Sequence, residues 1–215
     1  MIISTGRKYV FVHIPKTGGT SLALALEARA MRDDIMLGDT PKARKRRGRV
    51  KDAKTRGRLW KHSTLADIDG LLPDGVLPDL FAFTLVRNPW DRLVSYYHWL
   101  REQSFGHPSI RLAQTVGFSA FALHAQTRDA FKRSPASAYM RRVDGVEQCN
   151  AFIRLEHFTD DAAPLIAHLG FPLDLPHENR SARDADYQSF YTEAAAAAVA
   201  EYCAEDIARF GYRFA

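Results

Sequence analysis

Tyr9-Val-Phe-Val-His-Ile-Pro-Lys-Thr-Gly-Gly-Thr-Ser-Leu22 joins three kinds of sequence. The β-branched and aromatic run Tyr9 to Ile14 predicts a short buried strand. Pro15 to Ser21 is a turn rich in small donors, and Leu22, Leu24, Ala25 and Leu26 begin an apolar helical pattern. A strand, a glycine turn and a helix start make a phosphate cradle. The glycines let backbone approach an anion, and the first helical amides point at it. Lys16 brings a positive charge, and Thr17, Thr20 and Ser21 bring hydroxyls. The spacing is not that of an ATP-binding P-loop, because Lys16 precedes Gly18 and Gly19 instead of following them.

A second switch of the same kind lies further on. Leu80 to Val86 predicts a central strand, and it runs into Arg87-Asn-Pro-Trp-Asp-Arg-Leu-Val-Ser95. Asn88 suits an N-cap and Pro89 the first helical turn. Two strand-to-helix switches predict an α/β fold: a P-loop-like parallel sheet flanked by helices, with ligands beyond the carboxyl ends of the strands. Arg87 ends a strand, and positions 88, 91, 92 and 95 share one helix face, so Arg87 and Ser95 suit a separate phosphate. Two phosphate sites on neighbouring strands describe a nucleotide phosphorylated at both ends of its ribose.

The 215 residues suit one domain, 1–215, with an ordinary 46% hydrophobic and 26% charged content. Cys149 and Cys203 imply no disulfide framework. No run approaches a membrane span and no signal sequence opens the chain, which predicts a cytoplasmic protein. The net charge of +5 is unevenly spread. Residues 42–58 hold ten Lys or Arg against Asp52 alone, a charge of +9 that leaves −4 for the rest. This basic stretch, within an aperiodic and flexible insert at 33–58, is either a solvated loop or a funnel for an anionic substrate. Arg46 and Arg47 stand at its centre. No nucleic-acid-binding module accompanies it.

Elsewhere the pattern predicts a helix from about Thr20 to Arg32. Thr64 with Asp67 resembles a capping box and predicts a short helix there. Residues 102–146 read as interrupted helices, Asn150 to Glu156 as a strand, and Asp160 to His168 as a helix closed by Gly170. Pro172 to Asp186 reads as a polar loop. Glu193 to Phe210 reads as a final helix ending at Gly211.

His13-Ile-Pro-Lys-Thr-Gly-Gly-Thr-Ser21 and Val86-Arg-Asn-Pro-Trp-Asp-Arg-Leu-Val-Ser95, in that order, resemble the motifs of the PAPS-dependent sulfotransferases. The likeness is to the family 2 branch, which holds carbohydrate sulfotransferases and many small bacterial members. Phe152 to Glu156 and Phe210 to Phe214 agree more weakly. The resemblance implies that Lys16 contacts the 5′-phosphosulfate of 3′-phosphoadenosine 5′-phosphosulfate (PAPS). Thr17, Gly18, Gly19, Thr20 and Ser21 would complete that loop, with Arg87 and Ser95 on the 3′-phosphate. It implies in-line transfer of a sulfonyl group to an acceptor hydroxyl, and no metal. The wider superfamily also brings basic groups from a late loop to the 3′-phosphate, which makes Arg183 a candidate.

The reaction needs a base, and His62 is the candidate. It precedes the capping box at Thr64, and a helix start disfavours the imidazolium. Related glycan enzymes place a histidine between the two motifs, and His62 is the only one between residues 14 and 97. A surface histidine beside Trp60 is the alternative. His13 reads as a core residue, and Glu156 as either an orienting group or a structural ion pair. The expected partner is a hydroxyl-bearing acceptor, with an acidic glycan suited to the basic stretch. A nucleotide-dependent kinase of related fold, or a nucleotide-binding protein without catalysis, are the other readings. Nothing in the sequence sets the acceptor or the oligomeric state.

Overall fold

The computed structural model describes residues 1–175 and 186–214. In chain order the elements are β1 (Ile2–Ser4), β2 (Tyr9–Val12), α1 (Gly19–Ala28), β3 (Ile35–Met36), α2 (Pro41–Arg46), β4 (Phe81–Val86) and α3 (Pro89–Arg101). There follow α4 (Pro108–Thr115), α5 (Phe118–Leu123), α6 (Ala125–Lys132), α7 (Ala136–Tyr139) and β5 (Ala151–Arg154). The chain ends with α8 (Phe158–Asp161), α9 (Ala163–Leu169), α10 (Glu193–Tyr202) and α11 (Ala204–Phe210). It divides into two compact units, Met1–Val86 with Ala136–Asn179, and Arg87–Pro135 with Arg180–Ala215.

The first unit is built on a five-stranded sheet in the order β3-β1-β2-β4-β5. β2, β4 and β5 are parallel, as the two motifs predict, while β1 and β3 add antiparallel at one edge. Both faces of the sheet are covered. Phe11, Phe83, Leu85 and Ile153 pack with Leu22 and Leu26 of α1 and Leu165 of α9. Val10, Val12 and Ala82 pack on the other side with Leu65, Ile68 and Met140. That is why these strands read as unbroken apolar runs and not as alternating ones. Register pairs Val12 with Thr84, so β2 and β4 release the chain at the same edge of the sheet. There the fully buried Thr84 donates its hydroxyl to the Val12 carbonyl at 2.7 Å.

The second unit is helical. Trp90, Leu93 and Tyr97 of α3 pack with Phe118, Phe121, Phe131 and Val199 from α5, α6 and α10. Asn88 caps α3 by accepting from the Trp90 amide at 3.1 Å, as its position predicts. Its amide nitrogen donates to the Arg213 carbonyl at 3.0 Å, and Trp90 Nε1 donates to Ala196 O at 3.0 Å. These bonds fix the start of the helix that carries Ser95.

Several expectations need correcting. Helix α1 stops at Ala28, and the Lys42 ammonium donates to the Glu27 carbonyl at that end. The segment 33–58, expected to be a loop, holds β3 and α2, with Thr40 capping α2 through the Ala43 amide at 3.1 Å. Arg46 donates to Met31 O and Asp34 O, and Arg49 to Arg32 O and Asp34 O. Part of this basic run thus satisfies carbonyls left over beyond α1. The final helix is two, broken at Cys203.

The Thr64–Asp67 capping box forms, with both reciprocal bonds at 2.8 and 3.1 Å, but no helix follows it. The carbonyls of Asp67 and Asp69, which a helix would offer four residues on, accept instead from Gly57 and Arg56. Leu65 likewise gives its amide to Tyr139 O. Tertiary pairing has taken the groups that helix propagation needs.

Thr84→Val keeps the shape of the sheet edge but leaves the buried Val12 carbonyl without that donor. The variant should lose about 1–3 kcal/mol in urea denaturation at unchanged m-value.

Candidate functional site

The loop after β2 has the backbone of an anion cradle. Lys16 adopts φ 64° and Gly18 φ 82°, both left-handed, so the chain doubles back before α1 begins. A non-glycine residue in that region costs energy and is held there by its surroundings. Thr17 is buried and donates its hydroxyl to Ile14 O at 2.9 Å. Its proton therefore braces the turn, and what Thr17 offers outward is its backbone. The first helical acceptor is the Gly18 carbonyl, taken by the amides of Ser21 and Leu22 at 3.1 and 3.4 Å. The amides of Gly19 and Thr20 precede that bond, as an anion site at a helix start requires. No described residue hydrogen-bonds the Thr20 or Ser21 hydroxyls.

Two side chains hold this loop from beneath. A Cβ on Gly19 would lie 2.2 Å from Cδ2 of His13, and one on Gly18 2.8 Å from Cδ1 of Leu155. The glycines are thus needed for space as well as for φ. Leu155, in the turn after β5, escaped the sequence reasoning. No local pattern ties it to Gly18, which lies far off in the sequence. Glu156 itself sits in the same short turn, Leu155–His157.

His62 meets the cradle through His13. Its Nδ1 lies 2.7 Å from the His13 carbonyl oxygen, and the two rings are edge to face at 4.7 Å. A carbonyl only accepts, so Nδ1 carries the proton and Nε2 holds the lone pair. Burial is the main cause that lowers the His62 pKa to about 4. The hydrogen bond to His13 opposes it, and the Lys61 charge adds to it. The imidazole is neutral at pH 7, as expected, but through burial and not through a helix start, since none is there. His13 is only 6% exposed, and burial above all holds its own pKa well below the usual range. It is a core histidine, as expected, and its carbonyl and ring tie His62 to Gly19.

In the second unit, Arg87 and Ser95 lie at the two ends of the first turns of α3. Arg87 donates from Nε and Nη2 to Asp91 Oδ2, with the Nε bond at 2.8 Å. Both side chains are largely shielded, at 17% and 18% exposure. Asp91 fixes the guanidinium plane, and its i,i+4 spacing was a legible signal that the sequence reasoning passed over. Ser95 is 6% exposed, and no described residue hydrogen-bonds its hydroxyl. A hydroxyl on a nearly buried residue that no described residue engages is suited to a ligand oxygen. Arg183, and with it Arg180 and most of the polar loop expected from Pro172 to Asp186, lies outside the described residues. Among the described residues no group of three or more His, Cys, Asp or Glu could hold a metal, and no helix is long and apolar enough to cross a membrane.

No curated protein matches the chain. Among solved structures, mouse sulfotransferase SULT7A1 complexed with PAP is similar, at 17% identity and a TM-score of 0.46. That match covers 94% of this chain and 84% of the mouse chain. A family model described as "Sulfotransferase family" matches residues 1–212, both motifs and nearly everything around them included. The chain therefore belongs to the sulfotransferase family, enzymes that move a sulfonyl group from PAPS to an acceptor hydroxyl.

Proposed function

We propose that this sulfotransferase acts on a carbohydrate hydroxyl, with His62 as general base, Lys16 at the reacting centre, and Arg87 and Ser95 on the 3′-phosphate. The observation that carries this reading is the His62 Nδ1–His13 carbonyl bond of 2.7 Å. It leaves Nε2 as the acceptor of a proton, on a ring joined through His13 to the phosphate cradle.

The residues present fit the donor. Gly19 and Thr20 amides and the Thr20 and Ser21 hydroxyls suit the 5′ end, and the Ser95 hydroxyl, bonded to no described residue, together with the Arg87 guanidinium that Asp91 orients, suits a second phosphate. PAPS, when bound, supplies the sulfonyl group and leaves as adenosine 3′,5′-bisphosphate. His62 Nε2 takes the acceptor proton as the acceptor oxygen bonds to sulfur and the sulfur–phosphate oxygen bond breaks. Lys16 and the loop amides stabilise negative charge on the departing phosphate oxygen, which grows toward the transition state. Thr17, Gly18 and Gly19 act by shaping the loop, and Arg183 remains a candidate for the 3′-phosphate.

His62→Gln should lower kcat by about 10²–10⁴-fold in a PAPS-consumption assay. Its affinity for adenosine 3′,5′-bisphosphate should match wild type in a thermal-shift titration. Turnover kept within a factor of two would remove His62 as the base.

The pH profile depends on the same ring. A base with pKa near 4 stays neutral throughout the mildly acid range, so the acid limb of kcat should fall near pH 4 and not near 6.5. Stability runs the other way round that window. His13 and His62 are neutral when folded, whereas the unfolded chain takes up protons below about 6.5, so stability drops as pH falls through the mildly acid range. Circular dichroism at each pH separates unfolding from titration.

Ser95→Ala should weaken adenosine 3′,5′-bisphosphate binding by about tenfold, the worth of one hydrogen bond to a charged group, at nearly unchanged Tm. Equal affinity in the variant would take Ser95 out of the 3′-phosphate site.

A further inference from the structure

Arg58 to Ser63 forms a locked loop. The fully buried Ser63 hydroxyl accepts from the Trp60 amide at 2.9 Å and lies 2.8 Å from Arg58 O and 2.9 Å from Trp60 O. The Ser63 amide donates back to Trp60 O at 3.1 Å. Side chains at alternate positions of this loop stand in a row. The Arg58 guanidinium lies 5.5 Å over the Trp60 ring, and that ring is 5.0 Å from His62, edge to face. His62 continues the row to His13 and Gly19.

Trp60 is out of place for a structural residue. It is 43% exposed, and it joins none of the hydrophobic clusters, whereas its neighbour Leu59 packs into one. Trp90, by contrast, is 4% exposed and bonded through its indole nitrogen, and Trp99 is half-buried on Tyr96. A large ring left in water on a rigid loop has surface to give to a ligand. Arg58 makes no ion pair with any described residue, so its charge is available to an anion. Leu59 also lines a groove of about 600 Å³ edged by the exposed Arg47 and Lys51.

We propose that Trp60 and Arg58 form the acceptor subsite, the indole seating the C–H face of a sugar ring and the guanidinium holding a carboxylate of the same glycan. This rests on His62 being the base, since the subsite is defined by its distance from that ring. Trp60 and Arg58 thereby select a uronic-acid-containing glycan over a neutral one. Arg47 and Lys51 extend the positive surface for further acidic units.

The test uses a heparosan tetrasaccharide and its carboxyl-reduced counterpart, titrated calorimetrically into full-length protein saturated with adenosine 3′,5′-bisphosphate. Trp60→Ala should weaken binding of the tetrasaccharide by about tenfold or more, with Trp60→Phe recovering most of it. Arg58→Gln should remove a preference of about tenfold for the carboxylated form. Nucleotide affinity and Tm should not move in any of the three. His62→Gln should keep the tetrasaccharide affinity while losing turnover. Absence of binding to wild-type protein at about 1 mM saccharide, or wild-type affinity in both Trp60→Ala and Arg58→Gln, overturns the subsite. Binding that Trp60→Ala weakens in a protein that never sulfonates the saccharide leaves the subsite standing and sinks the catalytic reading instead. Turnover of another acceptor at unchanged KM in Trp60→Ala sinks the subsite alone.

Discussion

Helix α1 can begin where it does only because Gly19 has no side chain. The ring of His13 occupies the volume that a Cβ would need, 2.2 Å away, and that ring is itself enclosed. The contact couples two requirements. The backbone of the phosphate loop stays tight against the end of β2, and the histidine that enforces this also offers its carbonyl to His62 at 2.7 Å. The glycine loop and His62 are therefore positioned by one residue, so a shift of β2 moves both together. Enzymes that join two substrates gain most from such shared supports, because the gain from orientation is lost with small displacements.

The two strand-turn-helix segments were legible because the parts of each are contiguous in sequence. Pro15 to Ser21 and Arg87 to Ser95 each carry strand end, turn and helix start in one run, so local chemistry names their elements. β2 and β4 appeared as continuous apolar runs since both faces of the sheet are buried. β1 and β3 did not, because strands of three and two residues are too short for any periodicity to register. The helix expected at Thr64 failed for a different reason. Its capping box is real, but the carbonyls that should continue the helix are bound by Arg56 and Gly57, which no local pattern announces. The pairing of Arg87 with Asp91 was visible in the i,i+4 spacing, and the support of Gly18 by Leu155 was not.

The basic stretch 42–58 shows how charge counting misleads. Lys42, Arg46 and Arg49 point their donors at backbone carbonyls between Glu27 and Asp34, where the end of a helix leaves acceptors unmatched. Reversing Arg46 would disturb folding before it said anything about substrate. Arg47, Lys51 and Arg58 differ, because none of their side chains makes a hydrogen bond or an ion pair with a described residue. Within a single run of like charges, structural and available groups alternate, and only the hydrogen-bond partners separate them.

The cause of His62's neutrality decides how the ring responds to salt and to substrate. A helix dipole would lower its pKa only modestly and would be screened by salt. Burial against His13 and Trp60 lowers it further and is insensitive to ionic strength. A weakly basic imidazole is a poorer thermodynamic acceptor of a proton, so in the proposed role its value comes from being unprotonated across the neutral and mildly acid range. An acceptor that covers Trp60 would deepen that burial. The substrate would then help set the protonation state of the group that activates it, and binding and proton transfer would be linked through the same aromatic row.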